Sequence, residues 1–449
     1  MVPRSGVLRP DAARGSLLAR RLQLIVAILC FLVSVNVHGM TATFNVEMRF
    51  KKGDEEEKTN RLMQLHQFQV AQLRAEEEEA QAAQVVQLIS NKDGGQGSFT
   101  ANFSLRSSLI TAPVSFGRQV FDVTLDTGST VLWVTSTSCT SSACKAHPRY
   151  DPSTSRTYSK LEPATEFEVE YGSGYIRGTL AFETVGLGYL QIPSQSFGLV
   201  TEQQGSTFER AQWSGLLGLA YPSLAAFEHV PANHTKPFFD SIMASKLLNH
   251  NAFSFWLVRS ALTPPMFFMG APPPEYYQGT LEFFDVVEKY HWTLRLMDIL
   301  VDGKSLGLCP PPNHCKVAVD SGTTYMAAPT DDLPAILGEL SDGHPDATCY
   351  NQTTKIVTYV LEGNRTLTLE PEFYYTKSYT GDVCKIKYVG LDVDPPRGPL
   401  HIFGEPLFRK YFVHFNRDSD QVGFAVAREA AEAKPSLRSL IVKKLLSLI

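Results

Sequence analysis

Two segments of this chain hold residues that could do chemistry as a pair. They are Leu125-Asp126-Thr127-Gly128-Ser129-Thr130 and Val319-Asp320-Ser321-Gly322-Thr323-Thr324, one in each half of the sequence. In both, a single aspartate follows an apolar run and enters a tight Thr/Ser-Gly turn. One Asp in such a turn is ordinary, because Asp, Gly and Ser are the usual turn residues. Two copies in matching apolar contexts imply two half-sites that bring their carboxylates together. Two close carboxylates cannot both ionise cheaply, so one keeps a proton while the other acts as a base. Such a pair can activate a water and protonate the group that the water attacks.

Positioning the two turns requires two similar frameworks. A chain of 449 residues is long enough for two or three units, and a hydrophobic content of 43%, with 11% aromatic, supplies large cores. Charged residues are only 19%. From Phe99 to Ala427 the texture is short apolar or alternating runs broken by turn residues, which reads as mainly β structure. Short helices are expected near Phe238–Leu248 and Asp331–Leu340. The first Asp turn is followed by Leu216-Leu217-Gly218 and the second, at a similar interval, by Ile402-Phe403-Gly404. This is a duplication of two large lobes rather than a solenoid of many repeats. The Pro-rich stretch Pro272-Pro273-Pro274 and the strand-like residues after it place the lobe boundary near Tyr277–Val287, giving an N-terminal lobe 99–285 and a C-terminal lobe 286–427.

The ends of the chain have a different character. Arg14, Arg20 and Arg21 precede the apolar run Leu24–Val35, and Val37-His38-Gly39 offers a cleavage site. Residues 1–39 therefore read as a secretory signal peptide, with an uncleaved signal anchor as the alternative. Residues 40–53 alternate like a strand. Residues 54–90 carry Leu62, Leu65, Val70 and Leu73 on one helical stripe, and the Gly-rich stretch 91–97 reads as a cleavable linker. The tail 428–449 places Leu437, Leu440, Ile441, Leu445, Leu448 and Ile449 on one helical side among basic residues. Peripheral membrane contact is one reading of that tail; a trimmed tail or a helix packed on the body is the other.

Cysteine usage fits a secretory route. Of the seven cysteines Cys30 lies in the leader, and the remaining six allow 15 pairings in principle. Proximity favours Cys139–Cys144, Cys309–Cys315 and Cys349–Cys384. The close cysteine pairs read better as disulfides than as part of a zinc site, and no metal is expected. Asn102, Asn233, Asn351 and Asn364 begin glycosylation sequons. The net charge is −5, and the negative charge resides in the body, which argues against nucleic acid as a partner. An acidic body is compatible with work in an acidic compartment.

These residues together resemble the pepsin-like family of aspartic endopeptidases, and the resemblance covers essentially all of 99–427. Its carriers are the two Asp turns, Val131-Leu132-Trp133-Val134, Tyr171-Gly172-Ser173-Gly174, Gly215-Leu216-Leu217-Gly218-Leu219-Ala220-Tyr221-Pro222 and Ile402-Phe403-Gly404. Arg409-Lys410-Tyr411-Phe412 and Val422-Gly423-Phe424-Ala425 complete the order. The chain departs from the family pattern at Ser115-Phe116-Gly117-Arg118-Gln119, where a Gly-Thr-Pro turn is usual. It departs again at Ser214, where many relatives have Asp. Neither change removes a catalytic group.

The resemblance implies a mainly β, bilobal fold with the active site between two pseudo-symmetric lobes. It implies Asp126 and Asp320 as catalytic residues, with Thr127 and Ser321 cross-bracing the turns. Gly128 and Gly322 would let backbone approach the carboxylates, and Ser129 and Thr323 would hydrogen-bond them. Tyr171, Gly172, Ser173 and Gly174 would form a flap that closes over substrate. Trp133 would partner Tyr171; a plain core aromatic is the competing reading. Phe208 and Leu216 would line the pocket beside the scissile bond or simply pack in the core. The activity implied is cleavage of protein or peptide substrates between hydrophobic residues at acid pH, by a monomer that needs no cofactor. Residues 40–98 resemble an inhibitory prosegment, with Lys51, Lys52 and Lys92 as candidates to pair with the carboxylates. The expected location is the secretory pathway: the lumen of an acidic vesicle or vacuole, or the exterior. A catalytically silent peptide-binding relative is the alternative, disfavoured by two intact Asp turns.

Overall fold

Short apolar runs bounded by Gly, Pro, Asn and Asp become strands when β-branched and aromatic residues can pack on a pleated surface. That is what this chain does. The computed structural model describes residues 99–102, 109–171, 174–225, 235–258, 265–341, 355–377 and 384–429. All of them fall within one compact unit, Gln72–Ile449; the other unit, Met1–Ala71, lies outside the described residues. Also outside them lie the expected leader, prosegment and linker, the flap tip Gly172–Ser173, Asn233, Cys349, Asn351 and the tail from residue 430.

Three large sheets carry the body. The N-terminal sheet has eight strands and runs from Thr111 to Gly218; the C-terminal sheet has nine and lies between Glu288 and Phe403. The two repeat one arrangement. Strand Gln119–Asp126 pairs in parallel with Gly215–Gly218, which also pairs antiparallel with Leu132–Thr135. In the second half Cys315–Val319 pairs in parallel with His401–Phe403, which pairs antiparallel with Met326–Ala328. The apolar-Gly segments noted in the sequence are thus the central strands that hold each Asp turn. A Cβ at Gly218 would overlap the backbone of Thr130, and one at Gly404 the carbonyl of Tyr325. In both halves only glycine lets the turn pass against that strand.

A third, six-stranded sheet draws on three parts of the chain: Phe99–Asn102, the strands between Ala252 and Asp285, and Tyr411–Val426. Strand Glu282–Asp285, at the expected division between the lobes, is its edge. Its core is aromatic. Phe253, Phe255, Phe267 and Phe415 are fully buried, and Phe253 stacks on Phe415 with centroids 5.0 Å apart. The expected helices form as Phe238–Ala244 and Leu333–Leu340. The first stops before Leu248 because Lys246 takes a left-handed conformation, φ 53°.

One buried base in this sheet sets an acid limit on stability. His414 is 2% exposed, and its Nδ1 is paired with Ser254 Oγ at 2.8 Å. Burial, with a smaller push from His250, lowers its pKa from 6.5 to about 4. The unfolded chain takes up this proton as pH falls through 6.5, whereas the folded chain does not until about 4. Stability is therefore full above 6.5 and is lost as pH falls towards 4, by about 3 kcal/mol in all. His414→Gln should flatten the fall in urea midpoint over that pH range relative to wild type. An unchanged difference between the midpoints at pH 7 and pH 4 would refute it.

Candidate active site

Each Asp turn is built first from local bonds. Gly128 N–H donates to Asp126 Oδ1 at 2.8 Å and Ser129 Oγ to Asp126 Oδ2 at 2.5 Å. The second turn repeats this: Gly322 N–H to Asp320 Oδ1 at 2.8 Å and Thr323 Oγ1 to Asp320 Oδ2 at 2.5 Å. Each carboxylate therefore has its orientation fixed from its own turn, with the Ser or Thr hydroxyl at a spacing of three residues.

The turns are then locked to each other by four reciprocal hydrogen bonds. Thr127 Oγ1 donates to the Val319 carbonyl at 2.8 Å and accepts from Ser321 N–H at 2.9 Å. Ser321 Oγ donates to the Leu125 carbonyl at 2.8 Å and accepts from Thr127 N–H at 3.1 Å. Both hydroxyls are buried, so removing either strands two partners away from water. Thr127→Val or Ser321→Ala should each cost about 1–3 kcal/mol. The double variant should cost clearly less than the sum, because each change already breaks bonds that the other side chain shares. Urea unfolding of the four proteins measures this, and strict additivity would contradict the lock.

This lock brings the two carboxyls within hydrogen-bonding reach of each other. Asp126 is 6% exposed and Asp320 9%. Burial, then the charge of Asp320, holds the Asp126 carboxyl well above its usual 3.8, against the opposing pull of the Ser129 and Gly128 hydrogen bonds. The pair can hold a proton where a lone carboxylate would have lost it. An acid and a base thus stand side by side at one place.

Over the dyad lies the strand Glu166–Tyr171, which turns back into Gly174–Leu187 with Tyr171 opposite Gly174. Trp133 Nε1 donates to Tyr171 Oη at 2.9 Å. Burial and the Asp126 charge push the Tyr171 hydroxyl upward, so it stays a neutral donor. Trp133, Phe208 and Leu216 are buried in one cluster behind Tyr171, with Phe208 and Tyr171 ring centroids 6.0 Å apart. The backbone of Phe208 is held from below, its carbonyl 2.6 Å from His147 Nε2. A cavity of about 390 Å³ opens beside the first Asp turn, with Gly128, Ser129, Tyr171, His291 and Arg397 on its wall. Phe208 and Leu216 stand behind that wall. Sequence reading did not single out His291 or Arg397. One sits beside Trp292 at the start of a strand and the other in a Pro-rich loop, and nothing local distinguishes either.

The remaining expected residues are spread over the body. Disulfides join Cys139 to Cys144 and Cys309 to Cys315; the expected Cys349–Cys384 pair lies outside the described residues. Cys309 and Cys315 lie near His401, but their sulfurs are already joined to each other. Asn364 sits on an exposed turn with φ 60°, and Asn102 lies on strand Phe99–Asn102. Among the described residues no helix is long and apolar enough to cross a membrane.

Known proteins show the same arrangement of sequence. A family model described as "Eukaryotic aspartyl protease" matches residues 111–427. Cathepsin D of Gallus gallus is 37% identical over 318 residues, 68% of this chain and 77% of that protein. Cathepsin D of Homo sapiens is 35% identical over 331 residues, 69% of this chain and 78% of the relative.

Proposed function

Because this chain belongs to the pepsin-like, eukaryotic aspartyl protease family and is an aspartic endopeptidase, we propose that Asp126 and Asp320 are its catalytic pair and act through one shared proton. The observation that carries this is the mutual lock of the two turns, which places two buried carboxyls in contact. Shared protonation is an established property of aspartic proteases as a class. In this chain the ionised member would take a proton from a water between the carboxyls. The protonated member would donate to the scissile carbonyl oxygen as the water attacks, and a proton would then pass to the leaving amine. Ser129 and Thr323 hold the two acids in position through both steps. Tyr171, steadied by Trp133, would lie over the substrate and shield the reacting groups from water.

The same reading includes acid-favoured cleavage between hydrophobic residues of an extended peptide, by a monomer. It includes residues 1–39 as leader, 40–98 as an inhibitory prosegment, lobes at 99–285 and 286–427, and 428–449 as a basic amphipathic tail. It also includes synthesis through the secretory pathway. Cleavage of a peptide library between pH 3 and pH 7, with and without pepstatin, tests the catalytic claim. A maximum in the acid range that pepstatin abolishes is the expected result. Cleavage that rises steadily to neutral pH and resists pepstatin would overturn it.

A further inference from the structure

The cleft beside the first Asp turn is not uniformly apolar. Its body-side wall carries Arg397 and His291, and the flap strand opposite carries Glu168 and Glu170. The two acidic residues are unequal. Glu168 is paired across the flap hairpin with Arg177 at 2.7 Å, so its charge is already matched. Arg397 is exposed, and among the described residues no carboxylate forms an ion pair with it.

Its backbone, by contrast, is fixed. Lys316 Nζ donates to the carbonyl of Arg397 at 2.9 Å and to that of Pro396 at 3.4 Å, and pairs with Glu288 at 3.0 Å. Lys316 stands on Cys315–Val319, the strand that runs straight into Asp320. The loop that presents the guanidinium is thus tied to the same strand as the catalytic carboxylate. A permanently charged, planar donor on a tethered backbone beside the reacting centre, with no ion-pair partner among the described residues, is suited to a carboxylate on the substrate.

Resting on the endopeptidase reading above, we propose that Arg397, flanked by His291, selects substrates with an acidic side chain at one position near the scissile bond. An extended peptide points alternate side chains to opposite faces, so this does not conflict with apolar residues at the cleaved bond itself. His291 adds an imidazole to the wall. Burial keeps it neutral below its usual 6.5, opposed by the charges of Asp320 and Glu288 and aided by Arg397 and Lys316. Tyr171, across the cavity, stays neutral. A substrate glutamate loses its charge near 4.3. The selectivity therefore rests on Arg397 through mild acidification and disappears once the substrate carboxylate is protonated.

The test uses peptides with a Leu-Phe bond and Glu, Gln, Leu or Lys placed in turn at each of three positions on either side. At one position the wild type should show a higher kcat/KM for Glu than for Leu at pH 5. Arg397→Gln should lower that ratio by about twofold to fivefold, and Arg397→Glu should turn the preference to Lys. Binding of the same Glu and Lys peptides to Asp126→Asn protein, with and without Arg397→Glu, reads the wall without cleavage. A Glu preference in binding that reverses with Arg397→Glu supports the proposal even if the catalytic reading fails. Equal ratios in all variants, or no Glu preference at any position, overturns it.

Discussion

Asp126→Asn and Asp320→Asn should each lower kcat by about three to four orders of magnitude, the scale of losing one acid–base partner in the transition state. The amide keeps the side-chain shape, its Oδ1 accepting from the turn glycine and its Nδ2 donating to the Ser129 or Thr323 hydroxyl oxygen, so the fold is retained and the loss is chemical. The pH profile is the sharper measurement. With both carboxyls present, activity requires one proton on the pair, so it falls when the second proton binds and when the last one leaves. The upper limb lies above the range of an ordinary carboxylate, because burial and the Asp320 charge hold the proton on Asp126. These limits belong to the pair rather than to either residue. An asparagine at one position removes the coupling, and the bell should collapse with the rate. Cleavage by either variant at the wild-type rate would show that the two turns are structural and that the chemistry lies elsewhere.

A single methyl group in either turn should also be damaging. A Cβ at Gly322 would overlap Asp126 Oδ1, and one at Gly128 would lie 2.6 Å from the Asp320 Cγ and both its oxygens. Each glycine of one turn faces the carboxylate of the other, so the added carbon must displace a catalytic group. A misplacement near 1 Å costs roughly 100-fold in rate, and Gly322→Ala and Gly128→Ala should fall by at least about that factor in kcat/KM. Gly338→Ala is the comparison: in helix Leu333–Leu340 a Cβ meets nothing within 4 Å, and the rate should match wild type. Equal activity in all three would mean that the carboxylates tolerate movement, against the tightly bonded geometry of the site.

Much of this site was legible in one dimension because its chemistry is local. The Asp-Thr-Gly-Ser and Asp-Ser-Gly-Thr turns satisfy their own carboxylates within three residues, so residue type and spacing suffice to identify them. The repeated apolar-Gly segments report the central strands for the same reason, since an apolar strand buried on both faces needs a glycine where a turn crosses it. The helices Phe238–Ala244 and Leu333–Leu340 form where the sequence placed them and the second ends at Leu340 as expected, but the first stops short of Leu248 because a left-handed Lys246 leaves no signature in composition.

Other features depend on residues far apart in the chain. The sheet that joins Ala252–Trp256 to Tyr411–Asn416 pairs segments more than a hundred residues apart, and no local pattern specifies that register. Arg397 and His291 become neighbours of the catalytic turn only through the Lys316 tether and the closure of the cleft. The two carboxylates were named by their own turns, whereas the proposed sharing of a proton depends on burial and on the distance between them. Those are properties of the space around a side chain. The sequence by itself determined which two turns carry the proposed pair and which strands hold them. The tertiary structure alone decided how close those groups come, how dry they are and what charge faces the substrate beside them.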